Sequence, residues 1–472
     1  MNSIKNSLLA LGAVLFALAG HSVADMPRFE AFQIGDVGSN MGQTSLVDVD
    51  RDGDLDWVVG QAGRMWWFEH VRADQWIQHD MGHGAKTDVG GCAFDIDGDG
   101  WVDQVSGTGW YRNTGKPRTE EFEAYSNGAI SCHDNVAADI DGDGRLDVAA
   151  CSNAKGQVLI AWYRIPDDPK QKWIEHRIGE GIHGGVDPRG VGDLDGDGDS
   201  DVVRGDVWFE NANGKGTRWQ EHPSLTPWGG SRPDRFGLAI KTWICDLDGD
   251  GDNDLVQAEA DTVDGRVFWF ENRRQGQEWL YHSISAEHTR QDFHSLAVAD
   301  FDNDGDLDAF SGGGPLSQST HRCFVWENID GKGRAWKEHV VLEGRRCHEA
   351  KAADVDGDGD IDICFKPWRG SLHMYLRNML IEDERMKESA RDLARIAYCM
   401  LSDGRWREKQ VIPRWFVEET AAPTHGVTEP ELRFNRAAES FSHGWELPSR
   451  LTIGEATASR RTPASNPAPA AN

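Results

Sequence analysis

Asp300-Phe301-Asp302-Asn303-Asp304-Gly305-Asp306-Leu307-Asp308 is one of seven acidic loops of the pattern Asp-x-Asp-x-Asp-Gly-x-x-Asp, which begin at Asp48, Asp95, Asp139, Asp193, Asp246, Asp300 and Asp354. Successive loops start 47, 44, 54, 53, 54 and 54 residues apart. That is the spacing of a supersecondary unit that stacks on copies of itself. In the sixth unit an apolar run, Leu296-Ala297-Val298-Ala299, leads into the loop, and a second, Leu307 to Phe310, leaves it. An aromatic segment, Val325-Trp326-Glu327-Asn328, a Gly-Lys-Gly turn and a closing Trp336-Lys337-Glu338-His339 complete the unit. Four short strands punctuated by Gly and Asp turns predict a propeller blade. Seven units therefore predict an all-β, seven-bladed β-propeller over residues 25–380.

The aromatic segment recurs as Trp66-Trp67-Phe68-Glu69, Trp110-Tyr111-Arg112-Asn113, Trp162-Tyr163-Arg164, Trp208-Phe209-Glu210-Asn211 and Trp269-Phe270-Glu271-Asn272. Repetition in every unit predicts that these tryptophans pack between blades rather than form a sugar-stacking surface. The closing strand reads Trp-x-x-His at Trp76/His79, Trp173/His176, Trp219/His222, Trp279/His282 and Trp336/His339, with Phe122/Tyr125 in the second unit. No such strand follows the Tyr375-Leu376-Arg377-Asn378 segment of the seventh unit. Phe29-Glu30-Ala31-Phe32-Gln33-Ile34 fits that pattern, so the N-terminal strand is expected to complete blade seven and close the ring.

Residues 1–24 read as an export signal, with Lys5, an apolar stretch from Leu8 to Ala19 and a small-residue Ser22-Val23-Ala24 site. The expected location is secreted or periplasmic. No later apolar run is long enough to span a bilayer. A helical extension is expected over 381–446, with a helix from Ile381 to Leu401, and a disordered tail rich in Pro, Ala, Ser and Thr over 447–472. The eight cysteines permit disulfides in an exported chain or, where they sit in apolar strands such as Ile244-Cys245, buried thiols.

The formal charge of −30 argues against nucleic acid and anionic membranes as partners. Much of it belongs to the loops, which hold 33 of the 79 acidic residues. A hard divalent cation needs several oxygens in a small volume. Alternate aspartates on a turning loop deliver them, and the sixth-position Gly permits the turn. The expected ligands are Asp48, Asp50, Asp52 and Asp56; Asp95, Asp97, Asp99 and Asp103; Asp139, Asp141, Asp143 and Asp147; and Asp193, Asp195, Asp197 and Asp201. The remaining loops offer Asp246, Asp248, Asp250 and Asp254; Asp300, Asp302, Asp304 and Asp308; and Asp354, Asp356, Asp358 and Asp362. Calcium suits this donor set better than magnesium, so about seven structural Ca2+ are expected, one per loop. Over about residues 28 to 378 the loops resemble the FG-GAP or VCBS repeats of integrin-type and bacterial exported seven-bladed propellers. In that family calcium fastens the loops.

Function is sought where the repeats differ. Six residues before the first loop aspartate stand His133, His294 and His348 in blades three, six and seven, and Asp187 in blade four. Side chains at the start of the inner strands converge on one mouth of the central channel. Imidazoles there suit Zn2+ or a similar transition metal, and a carboxylate completes the set. The alternative is three separate, hydrogen-bonded histidines. Asp134 and Glu349 follow two of the histidines and are candidates for proton transfer. Lys241, Glu259, His321 and Lys366-Pro367-Trp368 also break the repeat. An acid, a base, a cation and an aromatic face around a metal suit a sugar, and Glu349, Lys241 and His321 are the candidate catalytic residues.

Phe293-His294-Ser295, Cys347-His348-Glu349-Ala350, Asp354 to Asp362 and Lys366-Pro367-Trp368 look similar to the propeller of aldos-2-ulose dehydratases. Enzymes of that family eliminate water from keto-sugars with zinc in a propeller cleft. The resemblance implies His133, His294 and His348 as metal ligands. Residues 388 to 423, including Glu388-Ser389-Ala390-Arg391 and Ile412-Pro413-Arg414-Trp415-Phe416, resemble a helical segment of the serine β-lactamase and penicillin-binding esterase family. That chemistry needs a Ser-x-x-Lys nucleophile. Ser152 to Lys155 is the only such stretch, and it lies inside blade three, so hydrolase activity is not expected. Two functional readings remain: a metal-assisted carbohydrate lyase or dehydratase, and a non-catalytic binding or adhesion propeller. Oligomeric state is not legible.

Overall fold

The computed structural model describes residues 26–382 apart from 39–43, 62, 84–90, 129–131, 153–157, 182–184, 224, 226–238 and 319–320, and beyond them 405–406, 409–410, 425–426, 438–442 and 445–448. The first strand is β1 (Phe29–Asp36). Blade one is β2 (Thr44–Val47), β3 (Asp56–Gln61), β4 (Arg64–Arg72) and β5 (Gln75–His83). Blade two is β6 (Cys92–Phe94), β7 (Asp103–Ser106), β8 (Gly109–Arg112) and β9 (Glu123–Ser126). Blade three is β10 (Cys132–Ala138), β11 (Asp147–Ser152), β12 (Val158–Arg164) and β13 (Ile174–Gly181). A short β14 (Pro188–Arg189) precedes blade four, which is β15 (Val191–Gly192), β16 (Asp201–Arg204), β17 (Val207–Glu210) and β18 (Gln220–His222). Blade five is β19 (Ala239–Cys245), β20 (Asp254–Ala260), β21 (Val267–Arg273) and β22 (Glu278–Ser283), and β14 pairs with β19 in parallel. Blade six is β23 (Ala297–Ala299), β24 (Asp308–Gly312), β25 (Arg322–Asn328) and β26 (Trp336–Glu343). Blade seven is β27 (Glu349–Ala353), β28 (Asp362–Lys366) and β29 (Leu372–Asn378), with β1 as its outer strand. The result is a seven-bladed β-propeller, and its ring is closed as the sequence predicts: β1 runs antiparallel to β29, from Phe29 opposite Asn378 to Asp36 opposite Leu372.

Middle strands such as β11 and β20 are buried along their whole length, because both faces meet a neighbouring blade. Among the described residues the core accordingly divides into seven clusters, one at each blade junction. Trp162 and Ile178 of blade three meet Val202 and Phe209 of blade four. At the closing junction Ile34, Tyr375 and Cys364 meet Trp57 and Phe68 of blade one.

The repeated aromatics do what their periodicity predicts. Trp67, Trp162, Trp208 and Trp269 each stack on the closing-strand histidine of their own blade, with ring centroids 4.2–4.6 Å apart. Tyr125 replaces that histidine against Trp110 at 5.2 Å. Trp162 also donates its Nε1–H to Gly216 O of blade four at 2.7 Å, as Trp269 does to Gly333 O of blade six at 2.8 Å. The Asn that ends the aromatic strand is a second staple. Asn211 donates to Ile140 O in blade three at 2.9 Å and accepts the Gly216 N–H at 2.9 Å, and Asn378 donates to Phe301 O in blade six at 2.9 Å.

Residues Glu382–Asn472 form a separate compact unit. Leu380 to Glu382 begin a helix, but the rest of the expected Ile381 to Leu401 helix lies outside the described residues. The described segments beyond are strands: β30 (Arg405–Trp406) with β31 (Lys409–Gln410), and β32 (His425–Gly426), β33 (Ala438–Ser442) and β34 (Trp445–Pro448) in one sheet. Seven cysteines are described, and all are free thiols, five of them buried. No helix among the described residues is long and apolar enough to cross a membrane.

Candidate metal centre

The acidic loops use their aspartates unequally. The ninth-position carboxylate is a backbone clamp. In blade six Asp308 accepts the Phe301 N–H at 3.1 Å and the Asn328 N–H at 2.8 Å, and Asp56, Asp103, Asp201, Asp254 and Asp362 repeat both bonds in their own blades. The first-position carboxylate is partly consumed in the same way: Asp193 accepts the N–H groups of Gly196 and Gly198. Positions three and seven retain unspent oxygens. Asp50 Oδ1, Asp248 Oδ1, Asp302 Oδ2 and Asp306 Oδ1 are buried without a hydrogen-bond partner. Burial, then the neighbouring Asp304 and Asp300 charges, push the Asp302 carboxyl up to about 7. Crowded, unsatisfied carboxylates of this kind fit a hard cation. Glu69 joins Asp50 and Asp52 in one such group, a residue that the spacing of aspartates alone does not reveal.

The departures from the repeat converge at the start of the inner strands. His348 and Glu349 come from blade seven, His294 from just before β23, Lys241 from β19, Asp187 from just before β14, and His133 and Asp134 from β10. All seven are at most 3 % exposed. The rings of His294 and His348 stack at 3.7 Å, and Trp368 lies 4.4 Å from His348. His294, His348 and Glu349 offer ligand atoms within 4.8 Å of one another. His348 Nδ1 lies 3.3 Å from Glu349 Oε1, outside hydrogen-bonding geometry. Both His348 nitrogens and His294 Nδ1 are buried with no hydrogen-bond partner. A buried imidazole nitrogen without a partner is costly. Two imidazoles and a carboxylate are a zinc donor set with one position left over. The residues fit the metal.

Charges tie the same cluster together across the channel. Lys241 Nζ lies 2.8 Å from Asp187 Oδ2 and 3.0 Å from Glu349 Oε1. Burial opposes the ammonium, but Asp187, Glu349 and Asp134 together hold it well above the ordinary lysine range. Burial likewise works against the Asp187 charge, and Lys241 and Lys351 outweigh it, keeping that carboxylate ionised. Glu349 is pushed up by burial, against the pull of Lys241. His348 is held neutral, first by burial and then by the charges of His294, Lys241, Lys366 and His133.

The structure brings His294, His348, Asp187 and Lys241 together at the start of the inner strands. His133 is close enough for its charge to act on His348, yet its Nδ1 is taken by Asp134 Oδ1 at 2.6 Å. Glu349, read from sequence as a proton-transfer group, stands with its carboxylate beside both imidazoles. His321 stands elsewhere. It bonds Arg346 Nε at 3.2 Å and lines a cleft of 340 Å³ with Arg345, Pro367 and Met374. Glu259 is spent on Arg266, at 2.8 and 3.0 Å. Ser152 ends β11 and accepts the Leu159 N–H at 3.1 Å, a strand position and not the helix start of a hydrolase nucleophile.

Seven blades, closed by the first described strand and carrying an acidic loop between the first two strands of each, define a repeat β-propeller. The FG-GAP-like repeat matches residues 95–150, 139–204 and 246–311, so the chain carries FG-GAP-like repeats. No curated protein matches the chain by sequence. Among solved structures it is similar to an Agrocybe aegerita lectin that recognises non-reducing terminal N-acetylglucosamine, at 17% identity and TM-score 0.44, over 64% of this chain and 81% of that one. It is similar to the exotype rhamnogalacturonan lyase YesX at 11% identity and TM-score 0.39, over 74% and 76% of the two chains. BBS1N, solved in complex with ARL6DN, matches at 9% identity and TM-score 0.44, over 74% of this chain and 95% of that one.

Proposed function

We propose that this is an exported propeller that binds a transition metal, zinc by preference, through His294, His348 and Glu349, and acts there on a keto-sugar by elimination of water. The observation that carries this reading is the stacked histidine pair with three unpartnered nitrogens beside a buried carboxylate. When bound, the metal polarises a carbonyl and so acidifies the adjacent C–H. The chain's own groups supply the rest. The ammonium of Lys241, fixed between Asp187 and Glu349, offers positive charge to an oxyanion. The His133 and Asp134 pair is oriented as a base, with Nδ1 held by the carboxylate. In balance, the C–H proton leaves, the C–O bond at the next carbon breaks, a C=C bond forms and water departs. Trp368 presents an aromatic face beside His348 for the sugar ring.

The test is incubation of zinc-loaded full-length protein with 2-keto-aldoses while following the absorbance of the conjugated enone. Zinc-dependent product that is lost in His348→Ala supports the reading. The near-complete burial of the cluster favours a second reading, a non-catalytic propeller whose metal pins the inner strands. Bound zinc with no enone from any keto-sugar selects that reading.

A further inference from the structure

The seven loops share one spacing, but the aromatic strand sorts them. The fourth residue from its first tryptophan is glutamate in blade one (Glu69), and its counterparts in blades four, five and six are Glu210, Glu271 and Glu327; in blades two, three and seven the position holds Arg112, Arg164 and Arg377. In blades two and seven this side chain stands over the aspartates at positions three and five of its loop. In blade two Arg112 pairs with Asp97 through Nε, and its Nη2 lies 2.5 Å from Asp99 Oδ2. In blade seven Arg377 lies 2.8 Å from Asp356 Oδ2 and 3.2 Å from Asp358 Oδ2. Blade one has its glutamate, but Arg118 from the turn of blade two reaches over. Its Nη2 is 2.7 Å from both Asp50 Oδ2 and Asp52 Oδ2, and 3.0 Å from Glu69 Oε1. Three loops thus hold a guanidinium across the two carboxylates that an ion needs most.

Blades four, five and six differ. Among the described residues no arginine or lysine nitrogen lies within ion-pair distance of the Asp195, Asp197, Asp248, Asp250, Asp302 or Asp304 carboxylates. Lys332 approaches Asp248 but bonds its backbone carbonyl. Asp248 and Asp302, 4 % and 1 % exposed, each keep one oxygen with no hydrogen-bond partner, and Asp199 of blade four does the same. The glutamates add a further carboxylate, and the cations that pair with them, Arg273 and Arg334 on Glu271 and Lys337 on Glu327, hold the glutamate and not the loop aspartates. Behind burial and the loop's own aspartates, Glu271 acts on Asp248 and Glu327 on Asp302. Orphaned oxygens also occur in blades one and seven, so the arginine is the feature that discriminates. In blade three Arg164 makes no ion pair with its loop among the described residues.

We infer that the loops of blades four, five and six take calcium-type cations, while Arg118, Arg112 and Arg377 close those of blades one, two and seven, leaving blade three as a fourth site at most. A guanidinium satisfies two carboxylates with planar N–H groups and one charge. A divalent ion entering beside it meets a like charge or must expel it. The inference is independent of the central histidine centre.

The experiment counts calcium in the full-length chain, stripped with a chelator and equilibrated against calcium chloride, by equilibrium dialysis and elemental analysis. The wild type is expected to hold no more than about four ions per chain. Arg112→Gln and Arg377→Gln are each expected to raise the count by one, Asp302→Asn to lower it by one, and Asp97→Asn to leave it unchanged. Retained thermal unfolding checks that each variant is folded. A wild-type count of five or more overturns the inference, as does an unchanged count in both arginine variants.

Discussion

His373 joins blade seven to blade one, and the structure predicts that it makes ring closure sensitive to acid. Its Nδ1 accepts the Trp57 Nε1–H at 3.1 Å, and its Nε2 lies 2.8 Å from Val37 O, so Nε2 must carry the proton and the ring must be neutral. Burial pushes its pKa from 6.5 to about 4, with the Lys366 charge acting in the same direction and the Val37 carbonyl and Asp36 opposing. Below pH 6.5 the unfolded chain takes up the proton first. Stability that is present above 6.5 is therefore lost as pH falls, until the folded protein also titrates near 4. The loss reaches about 2.5 kcal/mol at pH 4.5. Loop carboxylates titrate in this range as well, so the effect is isolated by comparison with His373→Gln, whose amide accepts and donates without titrating. Urea unfolding followed by tryptophan fluorescence in saturating calcium, at pH 7.5, 5.5 and 4.5, is the assay. The variant starts about 1–3 kcal/mol below wild type through lost packing on Trp57 and Phe68. That gap should close by about 2.5 kcal/mol on going to pH 4.5. A gap that stays constant across pH refutes the assignment of a buried, neutral His373.

Removing residues 25–35 strips β1 from blade seven, exposes the β29 edge and removes the Ile34 and Phe32 contacts. The expected cost is at least about 5 kcal/mol, a fall in Tm of about 10 °C, and an unchanged melt contradicts closure by the first strand. Asn211→Ala leaves Ile140 O and Gly216 N–H buried and unpaired, which should cost about 2–4 kcal/mol, whereas Asn213→Ala on the same turn should cost under about 1 kcal/mol. Equal urea midpoints for the two alanine variants would remove Asn211 as a staple between blades. Gly216→Ala sets a Cβ 2.6 Å from the Trp162 ring at φ +60° and should lower the urea midpoint, with wild-type stability as the contrary result.

The blades were legible because each repeats the same order of apolar run, Asp loop, aromatic strand and Trp-x-x-His. Closure was legible because Phe29 to Ile34 supplied the one strand that the seventh unit lacked. The role of Asn211 and Asn378 was hidden, since their acceptors lie one blade back and about 70 residues earlier in the chain. At the centre, His294, His348 and Lys241 announced themselves by breaking the repeat. The approach of Glu349 to both imidazoles did not, because only the fold turns it toward His294 and Lys241. The exchange of Glu for Arg before the terminal Asn was visible in the sequence. Its consequence for ion binding needed the guanidinium to be seen across Asp97 and Asp99, and Arg118 reaches its loop from another blade altogether.

The most direct test of the central claim is an anomalous difference map at the zinc edge from crystals of the zinc-equilibrated full-length protein. The account predicts one strong peak between His294, His348 and Glu349, with Zn–N distances of about 2.0–2.1 Å. An empty map there, with the two imidazoles hydrogen-bonded to water or protein, would contradict it.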